Sequence, residues 1–188
     1  GAANDLTTGV LNVFIGEQAG SIGTTTSYSV GIGRESLKNA TANDNTAVGY
    51  VALKGLTSGT NNTAVGRSAM TGVVTGEYNV AVGRNAGGSI TSGNYNVAIG
   101  GLSFDANTTG GGNVAIGTSS LGANTTGDGN TAVGNDALSN NTTAAGNTAV
   151  GISALLANTT GAANTAVGKG ALDANTTGGS NVAVGQDA

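Results

Sequence analysis

The chain has 188 residues, of which 35 are glycine, and it contains no proline, cysteine, histidine or tryptophan. Charged residues make up 9% and aromatic residues 3% of the chain, and the net charge is −4, whereas an average soluble domain is roughly 25% charged. This composition excludes disulfides and thiolate metal sites, offers no basic stripe for nucleic acid, and contains no apolar run near the roughly 20 residues of a membrane span. We therefore expect no cofactor, no nucleic-acid partner and no membrane insertion.

An internal repeat organises the whole chain. A glycine that closes an NTAVG-like segment recurs every 17 residues, with a single interval of 16 between Gly33 and Gly49. We call it the motif glycine, and its eleven copies are Gly16, Gly33, Gly49, Gly66, Gly83, Gly100, Gly117, Gly134, Gly151, Gly168 and Gly185. The copies fill residues 1–188, which predicts one repeat domain without an internal boundary.

The first predicted element of each repeat is a short strand. The residue two places before the motif glycine is Val or Thr, and the residue directly before it is Val or Ile, in all eleven copies. Beta-branched residues at a period of two predict a strand, and we expect them to be buried. Alanine stands between them in nine copies, so we expect the alanine column to lie against a neighbouring backbone and to pack against other copies of the chain.

The second and third predicted elements follow the motif glycine. Ala or Ser stands three residues after it and is usually followed by a large apolar residue such as Leu138, which predicts a second short strand. The Asn-Thr-Thr-Gly segments, for example 107–110, predict turns. Glycine and β-branched residues in the middle of every unit disfavour a helical repeat.

Stacking of these units predicts an all-β fold, a parallel β-solenoid of eleven coils of 17 residues, with identical residues about 4.8 Å apart along a rod about 50 Å long. Asparagine opens ten of the eleven repeats, and we expect this column to form an amide ladder. The predicted structural ladders in three successive units consist of Asn130, Val133, Gly134, Leu138, Asn147, Val150, Gly151, Leu155, Asn164, Val167, Gly168 and Leu172.

Catalytic chemistry has little support in the sequence. The ten carboxylates do not share one slot of the repeat, although Asp105 and Asp173 occupy the same slot four coils apart. With no histidine or cysteine, an isolated serine has no evident base, and neither an acid/base pair nor a calcium ladder can be assembled. We expect a protein that is not an enzyme.

Two features of the sequence suggest recognition. Tyr28, Tyr78 and Tyr95 each precede the Asn or Ser that opens a repeat, and Tyr78 and Tyr95 are predicted to be consecutive steps of one ladder. Such rings could hold sugars or simply pack at an edge. Repeated threonines suggest ice binding, although adjacent threonines in an extended segment point to opposite sides and leave one column.

The same Asn-Thr-Thr segments match the acceptor pattern for N-glycosylation, although turn formation also explains them. The matching asparagines are Asn39, Asn61, Asn107, Asn124, Asn140, Asn141, Asn158 and Asn175.

The repeat resembles a known family. NTAVG, together with NVAVG at 79–83 and NVAIG at 96–100, is similar to the SVAIG-type repeats in the heads of YadA-like trimeric autotransporter adhesins. The Asn-Thr-Thr-Gly spacer and the period of 17 are also similar to arrays in phage tail fibres and large bacterial surface proteins. The resemblance implies a left-handed β-roll, three chains side by side, and an extracellular location on a cell surface or virion. Neck, coiled-coil stalk and membrane anchor are not in this sequence, so bacterial adhesin and phage fibre both stay open.

From this we expect a fragment of a longer fibre that serves as a structural and adhesive segment. Its expected partners are further copies of itself and a cell-surface or matrix receptor or glycan. Two alternatives are a self-assembling extracellular filament subunit and an ice-binding β-solenoid.

Overall fold

The computed structural model describes residues 1–3, 5, 7–23 and 25–188. It is all-β, and the described residues contain no helix. Eleven strands of three residues each form one parallel sheet in which every strand lies beside the next one in the chain. They are β1 Val13–Ile15, β2 Val30–Ile32, β3 Thr46–Val48, β4 Thr63–Val65, β5 Val80–Val82, β6 Val97–Ile99, β7 Val114–Ile116, β8 Thr131–Val133, β9 Thr148–Val150, β10 Thr165–Val167 and β11 Val182–Val184.

The register places like residues over like. Val133 of β8 pairs with Val150 of β9, which pairs with Val167 of β10. Because consecutive strands are one repeat apart and parallel, the chain winds once per repeat, which makes it a β-solenoid. The predicted fold class is thereby confirmed, including the coil of about 17 residues.

The prediction of which strand face is buried was wrong. Ala132, Ala149 and Ala166, the middle residues of β8 to β10, are completely buried, whereas Val150 and Val167, the third residues of β9 and β10, remain 36% and 37% exposed. The alanine methyl groups share the interior with large buried side chains such as Leu138 and Leu155, and the one larger residue in this slot, Phe14, has Gly20 and Gly31 beside its ring. The β-branched side chains therefore point outward, and the alanine columns are not available to other copies of the chain.

The predicted second strand is also wrong, because the segment after the motif glycine forms successive turns. In the coil that follows Gly134, the N–H of Ala137 donates to the carbonyl of Gly134 at 3.3 Å, and Asp136 and Leu138 have φ of 55° and 51°. The N–H of Leu138 donates instead to Ala154 of the next coil at 3.0 Å. Alternation between bonds within and between coils is incompatible with a strand, but it still delivers the Leu138 side chain to the core, where it is fully buried.

The motif glycine is required by the close stacking of the coils. At Gly134, φ is +139°, and a Cβ built there would lie 2.6 Å from the carbonyl carbon of Gly151. Both the backbone conformation and the space therefore demand glycine, which explains its recurrence in every unit.

The asparagine that opens each repeat forms the expected amide ladder inside the coil. Asn113 illustrates it: its Nδ2 donates to Oδ1 of Asn96 at 3.1 Å and to the carbonyl of Gly127 at 2.9 Å. Its Oδ1 accepts from the backbone N–H and from Nδ2 of Asn130, at 2.8 and 3.2 Å. Both donors and both lone pairs of the buried amide are thus used.

A second amide ladder, which sequence reasoning assigned to turns, runs parallel to the first. Asn141 donates to Oδ1 of Asn124 at 2.9 Å, and Asn158 donates to Oδ1 of Asn141 at 3.1 Å. Its fully buried members are Asn107, Asn124, Asn141 and Asn158. The recurrence of asparagine seven residues after the motif glycine in consecutive coils was the signal that could have identified it.

Candidate functional site

A long and mainly apolar surface runs along the outer side of the sheet. We call it the outer face; it consists of the first and third residues of strands β1 to β11, which are valine, isoleucine or threonine throughout. Ile99 and Ile116 near its middle are 38% and 36% exposed. Eleven strands at about 4.8 Å make a continuous strip about 50 Å long, and contiguous apolar surface of this kind marks interaction sites in soluble proteins.

The predicted ladder residues divide between the inside and the outside of the coil. Those in the interior are Asn130, Leu138, Asn147, Leu155, Asn164 and, partly, Leu172. Val133, Val150 and Val167 lie on the outer face, and Gly134, Gly151 and Gly168 form the corner that follows it. The outer-face members are therefore the ones that another molecule can reach.

Two of the three predicted tyrosines form a stack at the corner before the strand. The rings of Tyr78 and Tyr95 are parallel within 3°, with centroids 5.2 Å apart, and they are 49% and 65% exposed. Tyr28 occupies the same slot and is also exposed, but it lies three coils before Tyr78. We call this slot, the residue directly before the asparagine or serine that opens each repeat, the corner column.

The backbone of the corner column has positive φ, a conformation that residues with a side chain disfavour. Tyr78 and Tyr95 both have φ of 58°, and the same slot holds Gly112, Gly129 and Gly146 in the next three coils. A side chain in the left-handed region costs roughly 1 to 2 kcal/mol per residue, whereas a ring pair returns about 0.5 to 1.5 kcal/mol. Ala163 and Ser180 adopt the same conformation in this column, so the left-handed backbone belongs to the fold, and the two tyrosines differ from the other coils in the rings that they expose.

Several charged residues of the first half of the chain form ion pairs at the opposite corner, after the strand. Arg34 pairs with Glu17 at 3.2 Å, and the guanidinium groups of Arg34 and Arg67 each lie 6.0 Å from the ring centre of Tyr50. On the adjacent turns, Lys54 and Lys38 contact Glu35 at 2.6 and 3.4 Å. The hydrogen bond from Lys54 keeps the pKa of Glu35 below its usual range.

A polar depression of about 320 Å³ lies on the turn side of the coils and includes Asp105. Gly88 and Gly122 occupy the slot of Asp105 in the coils on either side. Burial raises the pKa of the Asp105 carboxyl. The depression also exposes hydroxyls and an amide, but among the described residues no group of three His, Cys, Asp or Glu side chains is arranged to hold a metal ion.

The threonine columns differ in their use of the hydroxyl group. Thr108, Thr125 and Thr142 each donate from Oγ1 to a carbonyl of the following coil, at 3.2, 3.1 and 3.1 Å. The adjacent column is exposed and contains Thr109, Thr126, Thr143, Thr160 and Thr177. One column of threonine therefore faces solvent, as the sequence predicted.

Half of the eight asparagines that match the glycosylation pattern have side chains that an enzyme cannot reach. Asn107, Asn124, Asn141 and Asn158 are completely buried in the second amide ladder. Asn61 and Asn140 are exposed. The four buried asparagines are therefore explained by their hydrogen bonds in the second amide ladder.

No helix in the described part of the chain is long and apolar enough to cross a membrane. Comparisons with protein-family models, with curated proteins and with solved structures found no match to this chain. The resemblance to adhesin heads and tail fibres thus rests on the repeat motif, and functional inference rests on the surfaces described above.

Proposed function

We propose that this chain is a structural and adhesive segment of an extracellular fibre, in which several copies lie side by side. The observation that carries the proposal is the outer face, an apolar strip that extends along all eleven strands and bears no charged side chain. Burial of the exposed valine and isoleucine side chains is favourable, so this strip favours a partner that is equally long and apolar. A second copy of the same solenoid meets both requirements.

The interior of the coil supports a mechanical role. Each coil is held to the next by strand hydrogen bonds and by buried amides, and no buried side-chain nitrogen or oxygen among the described residues lacks a partner. Repeat proteins of this kind are extended, and their length grows with the number of units. Such a rod can hold a binding surface away from the body that carries it.

The resemblance to trimeric adhesin heads favours an assembly of three chains. Association through the outer face replaces our expectation that the alanine columns would meet. A self-assembling filament is the alternative within the same class, because head-to-tail contacts between coils need not close.

The ice-binding alternative has weaker support. The first threonine column uses its hydroxyls for bonds between coils. The row of threonines on the outer face is interrupted by valine in β5 to β7, so the Thr109 column is the exposed row that could order water. A measurable gap between the freezing and melting points of its solutions would favour ice binding over the fibre.

The molar mass of the isolated chain in solution tests the fibre proposal. We expect light scattering to give three times the chain mass of 17.8 kDa, independent of concentration over a wide range. A mass that grows with concentration would favour the filament, and a monomer at all concentrations would contradict side-by-side association.

A further inference from the structure

We propose that the Tyr78–Tyr95 stack, together with the glycine corner beyond it, is a binding site for a neutral glycan. The site deepens the proposed adhesive role and rests on it, because it supplies the fibre with a ligand class. It lies at the corner before the strand, whereas the proposed contact between chains lies on the strand itself.

The tyrosine stack is open at one end. One ring face of Tyr95 is covered by Tyr78, and the next residue of the corner column on the other side is Gly112. A Cβ placed at Gly112 would meet no atom within 4 Å, and the same is true of Gly129 and Gly146. The aromatic column is thus continued by empty space over three coils, roughly 14 Å at the spacing of a sheet.

The backbone keeps this corner in register. The N–H of Tyr95 donates to the carbonyl of Glu77 at 3.1 Å, and the N–H of Gly112 donates to that of Asn94 at 2.9 Å. A ring bound over Gly112 would therefore lie one coil step from Tyr95, as Tyr95 does from Tyr78. Flat apolar faces, such as the C–H face of a sugar ring, fit this spacing.

Polar side chains next to the column fit the edges of a sugar. Glu77, Asn94 and Asp128 occupy the neighbouring slot and are exposed. Oδ1 of Asn94 accepts from the N–H of Glu77 at 2.7 Å, which fixes the amide beside the rings, and Oδ1 of Asp128 accepts from Gly111 at 2.7 Å. An amide N–H₂ that donates and carboxylates that accept can bind the hydroxyls of a sugar.

The charge of the site selects among glycans. Glu77 and Asp128 are the ionisable groups of this neighbouring slot, whereas the arginines of the first half of the chain lie at the corner after the strand. Carboxylates beside the rings repel sulfated or carboxylated sugars. The site therefore favours neutral, hydroxyl-rich sugars.

Binding of oligosaccharides to the assembled protein tests the site. Calorimetric titration would use maltohexaose, cellohexaose, mannohexaose and lacto-N-neotetraose as neutral probes and a chondroitin sulfate hexasaccharide as the anionic probe. We expect at least one neutral probe to bind and the anionic probe not to bind. Failure of all four neutral probes at millimolar concentrations, or preference for the anionic one, would overturn the proposal.

Two variants locate the binding. Tyr95→Asn removes the platform while keeping a residue that the left-handed conformation accepts, and we expect it to weaken binding about five- to tenfold. Gly112→Asn fills the space beside the ring without altering a tyrosine, and we expect a similar loss.

Tyr28→Asn is the matched control, because Tyr28 occupies the same slot and is separated from the stack by two coils that carry Asp44 and Asn61 there. Equal loss of binding in this control would overturn the site. The molar mass of each variant is measured as well, because assembly through the outer face should be unchanged in all three. Loss of glycan binding with an unchanged molar mass concerns the glycan site, whereas a monomeric wild-type chain concerns the fibre proposal.

Discussion

The side-chain oxygen of Asn96 accepts two hydrogen bonds from Asn113, one from its backbone N–H at 3.0 Å and one from its Nδ2 at 3.1 Å. The same arrangement recurs along the chain, so that each coil positions the next through a buried amide. The apolar side chains of the interior pack without fixed direction, whereas the hydrogen bonds of this ladder fix which residue lies over which.

Replacement of a central amide should therefore be costly. We expect Asn113→Leu to lower the free energy of unfolding by roughly 2 to 3 kcal/mol, because it leaves the buried N–H of Asn130 without an acceptor and removes one of the two amide donors to the carbonyl of Gly127. Urea denaturation followed by circular dichroism measures the change. Asn135→Leu is the control: Asn135 is exposed, and Ile152 occupies its slot in the next coil. An equal effect in the two variants would contradict a structural role for the ladder.

The corner glycines provide a second comparison. Gly134→Ala places a methyl group 2.6 Å from the carbonyl carbon of Gly151, so we expect a loss of about 3 kcal/mol or more in the free energy of unfolding. Gly146→Ala also introduces a side chain at positive φ, but no atom lies within 4 Å of the new Cβ.

For Gly146→Ala we expect a loss of only about 1 to 2 kcal/mol, and Ala163 already occupies that column with φ of 58°. Thermal unfolding of the two variants measures the difference. Comparable midpoints would show that close stacking of the coils is not what requires glycine.

Asp105 predicts an unusual dependence on pH. Burial raises the pKa of its carboxyl in the folded state, so the folded chain holds this proton more firmly than the unfolded chain. Ionisation of Asp105 therefore lowers the free energy of unfolding as the pH rises through the pKa of the folded state. Below the pKa of the unfolded state the carboxyl is protonated in both states, and this loss of stability disappears.

We expect Asp105→Asn to raise the free energy of unfolding at pH 7 by roughly 0.5 kcal/mol and to have little effect at pH 3. Asp173→Asn is the control, because Asp173 occupies the same slot and is exposed. Urea titrations at the two pH values give the comparison. Destabilisation by Asp105→Asn at pH 7 would mean that the carboxylate makes favourable contacts there.

The period, the strands and their register followed directly from the sequence, because β-branched residues and glycine recur in fixed slots. The burial of the strand faces did not follow. Valine is more apolar than alanine, but Val150 faces outward and Ala149 inward, because large side chains such as Leu155 already fill the interior of the coil. The space inside the coil depends on how the whole repeat folds, and the alternation of residues in one strand does not predict it.

The turn segment was missed for a related reason. Leu138 and Leu155 adopt φ of 51° and 53°, a conformation that leucine alone disfavours and that burial in the core stabilises here. The Tyr78–Tyr95 stack was predictable from the spacing of 17, whereas the empty corner beside Tyr95 emerged only from the arrangement of the following coils.

The central claim is that copies of this chain associate through the outer face, and one measurement tests it most directly. Sedimentation equilibrium would compare the double variant Ile99→Lys/Ile116→Lys with Thr126→Lys/Thr143→Lys, which adds the same charge to the exposed threonine column. We expect the first variant to be a folded monomer of about 17.8 kDa and the second to keep the mass of the unmodified assembly. Assembly retained by the first variant, or lost equally by both, would contradict association through the β-branched face.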